Sequence, residues 1–154
     1  SKSQGVDVVV ATPHYYSHKQ TVDEFLKNRE ESYELLKKYL DENQLDVPEI
    51  RSGAEVRFSH EIMEMQPEQL VIEGTNTILI ELPFTYWNEW IYEDLFKLSA
   101  KHKVNVIIAH LERYIDNVKA YEEDESYSVG QDLSCHLHHE VCIQRLSGEQ
   151  HDDT

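Results

Sequence analysis

The amino-acid sequence predicts an α/β fold in which about four parallel strands alternate with helices. Three observations support this prediction. Strand-like apolar runs recur along the chain, and a helix-sized stretch separates each run from the next. Two of those stretches have the apolar spacing of amphipathic helices. Each run leads into a residue type that binds metals, and functional residues lie at the carboxyl ends of parallel strands. The four runs are Gly5–Ala11, Pro48–Ala54, Thr77–Ile80 and Val104–Ala109.

Length and composition indicate one globular domain with a core of its own. The chain has 154 residues and a formal charge of −16, with 30 acidic and 14 basic side chains. A nucleic-acid-binding protein normally carries a basic surface, so this balance argues against nucleic acid as a partner. No apolar run is long enough to span a membrane. Cys135 and Cys142 are the only cysteines, which fits a reducing cytoplasm.

The first strand and the first helix have the clearest local signals. The β-branched run Val8–Val10 is typical of a parallel strand that is buried on both faces, and Pro13 is expected to end it. Thr21 is a good N-cap for a helix that extends to about Asn43. The stripe of residues that recur at helical spacing along it is Phe25, Arg29, Tyr33, Leu36 and Leu40.

The second half of the chain has weaker signals between its strands. Ser59–Leu70 is predicted to be a short helix or an irregular loop, and Val71–Gly74 a small extra strand. Trp87–Lys103 is predicted to be the second long helix. A further helix is expected to begin within Ile115–Glu123. The core stripe of the second helix is Trp90, Ile91, Leu95 and Leu98.

The C-terminal segment differs in character from the rest. Residues 1–125 are assigned to the α/β domain, and residues 126–154 form a polar, His-rich tail that is expected to be poorly ordered. Within it, Cys135–Cys142 resembles a cluster of metal ligands, but its spacing matches no closed zinc module. Adventitious metal binding by a disordered tail is the favoured interpretation.

The residues that follow the four strands predict a metal site. His14, Glu55, Glu81 and His110 are expected to meet at one rim of the sheet. Taken singly, each has a structural alternative, such as a hydrogen-bonded imidazole or a solvated carboxylate. Glu81 is the hardest to explain in that way, because its neighbours are apolar and burying an unpaired charge is costly. Mixed imidazole and carboxylate ligands suit manganese, zinc or iron(II).

Two kinds of residue beside the predicted ligands could bind a substrate. Arg113 lies three positions after His110, where its guanidinium could hold a phosphate oxygen, or could instead pair with Glu112 or Asp116. Two close metal ions would lower the pKa of a bridging water and favour in-line displacement at phosphorus. An aromatic substrate pocket or ordinary packing in the core or at the rim could account for Tyr15, Tyr16, Tyr86 and Trp87.

Four motifs, in order and at suitable spacing, resemble a known family. They are Ala11-Thr12-Pro13-His14-Tyr15, Gly53-Ala54-Glu55-Val56, Ile80-Glu81-Leu82-Pro83-Phe84 and Ile108-Ala109-His110-Leu111-Glu112-Arg113. Over about residues 3–125 the chain resembles the bacterial tyrosine-protein phosphatases of capsule and exopolysaccharide biosynthesis, which belong to the PHP (polymerase and histidinol phosphatase) superfamily.

The resemblance implies a fold, a reaction and a cofactor. The fold would be a partial, distorted TIM-like (β/α) barrel of the PHP type, with its helices outside. The reaction would be hydrolysis of phosphotyrosine on a partner tyrosine kinase, with two or three metal ions, usually manganese. His14, Glu55, Glu81 and His110 fall on the family's ligand positions, and Arg113 falls on its phosphate-side arginine.

The chain also departs from the family pattern. The family's His-x-His strand and Asp-x-His strand are missing, so we expect a fragment of a longer protein, from a truncated or frameshifted gene. Open sheet edges would then invite pairing with another chain and so an oligomer. Two alternatives remain: another PHP-type phosphoesterase, such as one resembling histidinol phosphatase, and a non-catalytic metal-binding remnant.

Overall fold

The computed structural model describes residues 2–84 and 89–114. Parallel strands alternate with helices in this part of the chain, as the sequence predicts. The strands are β1 (Val8–Ala11), β2 (His14–Tyr15), β3 (Glu49–Ser52), β4 (Glu55–Arg57), β5 (Thr77–Glu81) and β6 (Asn105–Ile108). The helices are α1 (Val22–Glu42) and α2 (Glu89–His102). Short 3₁₀ segments are Lys2–Gln4, His60–Glu64, Pro67–Gln69 and Leu111–Tyr114.

The strands follow one another across the sheet in chain order. β1 pairs with β3, and a second sheet has the order β2-β4-β5-β6, with every pair parallel. Backbone hydrogen bonds connect the two sheets: Gly53 N donates to Ala11 O at 2.9 Å, and Glu55 N donates to Pro13 O at 3.0 Å. A doubly wound sheet reverses its order at a switch point, whereas a barrel does not. The described part shows no such reversal, and it does not show a closed barrel.

Pro13 interrupts the first strand without ending its pairing. Proline lacks the N–H that a central strand residue donates, so β1 ends at Ala11. Its carbonyl still accepts from Glu55, and parallel pairing resumes at His14. β1 therefore ends before Pro13 as expected, but a further short strand follows directly and carries the first predicted ligand.

Helix α1 matches its predicted start and end. Thr21 and Glu24 form a complete capping box, and Asn43 is the C-cap. Two side chains of α1 hold it against the sheet: Tyr33 Oη donates to Ile50 O at 2.7 Å, and Arg29 Nη1 donates to Gly53 O at 2.9 Å. Apolar contacts add to these bonds, because Phe25 belongs to the core cluster and Val22 and Leu26 pack against it. Of the predicted stripe, only Phe25 is fully buried.

Apolar side chains of α2 pack into the main core. Ile91, Leu95 and Leu98 are buried as predicted, but Trp90 is 45% exposed and stacks on Phe58 with ring centroids 5.8 Å apart. Trp90 therefore lies at the edge of the core stripe. The largest fully buried side chains of the described residues are Tyr15, Tyr114, Ile62, Leu70, Ile78, Ile80, Leu82, Ile91, Leu98, Val56 and Pro67.

Two predictions for the strands were wrong. Val71–Gly74 is not a strand: Thr75 N donates to Ile72 O at 3.0 Å, and Gly74 has a φ of 77°, so the chain turns there. Val9 and Val10 are 39% and 37% exposed, although their composition predicted burial on both faces. In the described ranges β1 pairs only with β3. The β-branched composition of β1 predicts a strand, but it does not predict how far other parts of the chain bury that strand.

Three further predictions lie outside the described residues: the helix expected within Ile115–Glu123, the domain boundary near residue 125, and the tail of residues 126–154 with its Cys135–Cys142 cluster. Neither described helix has the length and apolar character that a membrane crossing requires.

Candidate metal centre

The parallel pairing of β2, β4, β5 and β6 brings the four predicted ligands close together. His14 lies in β2, Glu55 begins β4, Glu81 ends β5, and His110 follows β6 by two positions. His14 and Glu55 are register partners, as are Arg57 and Glu81. Partners in a parallel pair project their side chains to the same face, and alternate residues of one strand share a face. His14, Glu55 and Glu81 therefore lie on one face of the sheet, opposite the buried Val56 and Ile80.

Three of the four residues form a compact ligand set. His14, Glu55 and Glu81 each offer one donor atom, and these atoms all lie within 4.8 Å of one another. His110 joins them through Glu55, whose Oε1 lies 3.2 Å from His110 Nε2 and 3.8 Å from His14 Nδ1. Two imidazoles thus flank one carboxylate oxygen, and a second carboxylate lies beside it.

One oxygen of the Glu55 carboxylate is buried without a hydrogen-bond donor in the described part of the chain. Its side chain is 11% exposed, and among the described residues Oε1 is the one buried side-chain oxygen or nitrogen without a hydrogen-bond partner. An ionised carboxylate oxygen in that state costs several kcal/mol unless a cation or a donor meets it. The orphaned oxygen and the mixed imidazole and carboxylate set both fit a divalent transition metal.

Glu81 is also buried, but it has a cationic partner. Its Oε2 lies 3.2 Å from Nη1 of Arg57, which is the last residue of β4. Arg57 is not among the site residues that the sequence predicted. Its spacing from Glu55 could have indicated that it lies on the same face, because positions 55 and 57 of a strand share a face.

His110 is held in an unusual backbone conformation. Its φ is 54°, in the left-handed region that few residues other than glycine adopt. The chain then turns into the segment Leu111–Tyr114, where Arg113 N donates to His110 O at 2.8 Å. Arg113 is exposed and forms no ion pair with Glu112 in the described ranges, whereas Asp116 lies outside them. Arg113 is thus an exposed residue of the segment that directly follows His110.

Tyr114 links the end of β6 to the end of β5. Its side chain is fully buried, and its Oη donates to Leu82 O at 2.7 Å. Burial raises the pKa of this phenol, and the charge of Glu81 raises it further, while Arg57 and Arg113 act in the opposite direction.

The structure does not bring Tyr15 to the site. Tyr15 follows His14 in β2, so it faces the opposite side of the sheet, where it is 1% exposed and packs edge-on against Phe25. This placement is the core packing that the sequence analysis gave as an alternative. Tyr16 is the aromatic neighbour at the rim, and its ring stacks with His14 at 5.7 Å. Tyr86 and Trp87 lie outside the described residues.

Comparison with known proteins gives one family and one fold. The family described as "Capsular polysaccharide synthesis, CpsB/CapC" matches residues 1–134. A search of curated proteins found no match. Among solved structures, a chain from the crystal structures of YwqE from Bacillus subtilis and CpsB from Streptococcus pneumoniae, described as unique metal-dependent tyrosine phosphatases, matches with a TM-score of 0.57 and 24% identity. The match covers 73% of this chain and 44% of that chain, and at this identity it shows the fold alone.

Proposed function

The chain belongs to the CpsB/CapC family of capsular polysaccharide synthesis, and from this membership we propose that it is the metal-binding portion of a metal-dependent protein-tyrosine phosphatase. The proposed reaction is hydrolysis of the phosphomonoester of phosphotyrosine. The solved chain with the same fold is described as a metal-dependent tyrosine phosphatase, and the present chain matches 44% of its length.

One observation carries the proposal. The buried Oε1 of Glu55 has no hydrogen-bond partner in the described residues, and it lies between His110 Nε2 at 3.2 Å and His14 Nδ1 at 3.8 Å. A buried carboxylate oxygen with a purely structural role normally accepts a hydrogen bond. A site prepared for a cation explains why this oxygen is left without one.

We propose His14, Glu55, Glu81 and His110 as the ligands. Manganese is the favoured metal, with zinc or iron(II) as alternatives, and two or three ions would bind in the complete centre. When bound, such ions activate water and neutralise charge on a phosphoryl group. The protein would fix the ligands by placing them on paired strands, where register sets their spacing.

Arg113 is proposed to be the catalytic residue that contacts the phosphoryl group. A guanidinium binds two phosphate oxygens through parallel N–H bonds, and it stabilises the negative charge that develops on them. Two contacts of its own segment position Arg113: its N–H bonds to His110 O, and the adjacent Tyr114 is anchored on Leu82.

The proposed substrate is phosphotyrosine on a bacterial tyrosine autokinase, whose dephosphorylation would regulate capsule or exopolysaccharide synthesis. This setting would place the protein in the cytoplasm. The chain's acidic balance, 30 acidic against 14 basic side chains, is consistent with a protein substrate and disfavours nucleic acid.

The test is phosphate release from a phosphotyrosine peptide and from p-nitrophenyl phosphate in the presence of manganese, zinc or iron(II). We expect release with manganese, its loss on chelation, and little release from a phosphoserine peptide. Equal release without metal would contradict the proposal. Metal binding without hydrolysis of either substrate would favour the non-catalytic alternative, and hydrolysis of small phosphate esters but not of the peptide would favour the other PHP-type phosphoesterase.

A further inference from the structure

Arg57 is a second guanidinium at the site. It is the last residue of β4, and it lies on the same face as Glu55. Phe58 N donates to Glu81 O at 2.8 Å, which fixes the backbone directly after Arg57 against the end of β5. Its position at the site is therefore set by the sheet and not by a loop.

Two contacts orient the Arg57 side chain. Nη1 lies 3.2 Å from Glu81 Oε2, and the guanidinium carbon lies 5.9 Å from the centre of the Phe84 ring, within the range of a cation–π contact. A guanidinium has five N–H donors in a rigid fork, and Glu81 engages one of its ends. The side chain remains 31% exposed, so further donors can reach a ligand in the mouth of the site.

Charge balance indicates what that ligand would be. Without metal, Arg57 offsets the charge of Glu81, whereas the buried Glu55 Oε1 has no hydrogen-bond partner in the described ranges and lies 3.2 Å from His110 Nε2 and 3.8 Å from His14 Nδ1. A divalent cation among the carboxylates would take over that role, and the site as a whole would then carry net positive charge. Glu81 can contact Arg57 through Oε2 and a cation through Oε1, so the guanidinium need not leave its place.

We propose that Arg57 is an anion-binding residue that contacts the phosphoryl group of a phosphomonoester, opposite or beside Arg113. This inference rests on the proposed function and extends it with a residue for substrate binding. Lysine cannot replace the planar fork at such a site, because it offers a point charge without bidentate geometry.

The experiment measures the affinity for inorganic phosphate by titration calorimetry, using the chain saturated with manganese. Arg57→Gln removes the guanidinium, and Arg57→Lys keeps its charge. Arg51→Gln is the matched control, since Arg51 lies on β3, which precedes β4 in the chain but pairs with β1, and it contacts Glu49 at 2.6 Å. The affinity for manganese is measured on each variant, because a purely structural role in holding Glu81 would change that quantity.

We expect Arg57→Gln to weaken phosphate binding by at least about tenfold at saturating manganese. Arg57→Lys should give an intermediate loss, and Arg51→Gln should stay within about twofold of the wild type. Manganese affinity should change far less than phosphate affinity.

Two results would overturn the inference. One is an unchanged phosphate affinity in Arg57→Gln, and the other is a loss of phosphate binding that only follows a loss of manganese binding. If the wild type hydrolyses phosphotyrosine while the Arg57 variants bind phosphate normally, the inference fails and the proposed function stands. If the wild type binds neither manganese nor phosphate, both fail.

Discussion

Glu55 Oε1 lies 3.2 Å from His110 Nε2, although β5 separates β4, which begins with Glu55, from β6, which ends two positions before His110. The contact passes across one strand of the sheet, so both side chains reach the same side of that sheet. It exists because β4, β5 and β6 pair in parallel and in register. The geometry of the candidate centre therefore depends on sheet register, and mutations that disturb strand pairing should affect it.

Tyr114→Phe should weaken the connection between the ends of β5 and β6. The change removes the bond from Tyr114 Oη to Leu82 O and leaves a buried carbonyl without its donor. We expect the free energy of unfolding to fall by about 1–2 kcal/mol, measured by urea denaturation. Tyr39→Phe on the exposed side of α1 is the control and should have little effect. Equal free energies of unfolding for Tyr114→Phe and the wild type would show that this hydrogen bond does not stabilise the fold.

Gly53→Ala should disturb the junction between β3 and β4, just before the first carboxylate ligand. A Cβ at Gly53 would lie 3.1 Å from Thr12 Cγ2 and 3.3 Å from Val10 Cγ1, which is closer than ordinary van der Waals contact. Overpacking of this kind costs about 1–3 kcal/mol, measurable as a lower denaturation midpoint. An unchanged midpoint would mean that the two strands can separate slightly at no cost.

Thr21→Ala should destabilise helix α1. The Thr21 hydroxyl accepts from Glu24 N, and its loss leaves an N–H of the first turn unpaired. We expect a loss of about 1 kcal/mol in the free energy of unfolding, and Thr21→Ser should retain most of it. Similar losses in the alanine and serine variants would contradict the assignment of this hydroxyl as the cap.

Glu73 should contribute stability only above acidic pH. Its Oε2 accepts from Ser52 N at 3.0 Å and from Ser52 Oγ at 3.1 Å, and these hydrogen bonds hold its pKa below the ordinary value of 4.5. A carboxyl group with a lowered folded pKa stabilises the fold above its unfolded pKa, and this contribution is lost as the pH falls through the folded pKa.

The measurement compares Glu73→Gln with the wild type by denaturation at several pH values between 7 and about 3.5. The wild type should be more stable at pH 7, and the difference should shrink below pH 4.5. A difference that stays constant over this range would contradict a charge-dependent contribution. Ser52→Ala removes the side-chain donor but keeps the backbone donor, so it should show a smaller effect of the same sign.

The sequence alone predicts the positions of the candidate ligands. Glu81 stands among apolar residues, where an unpaired buried charge would be costly, and His110 follows a predicted strand. The N-cap Thr21 likewise has a local signal that needs no tertiary context. The N-cap at Thr21 and the strand before His110 depend on neighbours along the chain, and both predictions are confirmed.

Other features depend on contacts between distant residues. Arg57 is absent from the sequence-based site because a charged residue at a strand end is usually solvated. Its spacing from Glu55 indicates the face on which it lies, but its pairing with Glu81 follows from the register of β4 and β5. The side chain of His102 is 12% exposed and lies 3.1 Å from Glu68. The side chain of His60 is exposed, yet it contacts the buried Asp94 at 2.7 Å. Such pairings follow from packing, which composition and spacing do not specify.

The central claim is that His14, Glu55, Glu81 and His110 form a single cation site. The most direct test measures how much manganese raises the free energy of unfolding, in the wild type and in Glu55→Gln, with Glu49→Gln as an exposed control. At a manganese concentration of about 100 times the dissociation constant, the wild type and the control should gain about 2.7 kcal/mol, and Glu55→Gln should gain far less. Equal gains in all three proteins would contradict the account.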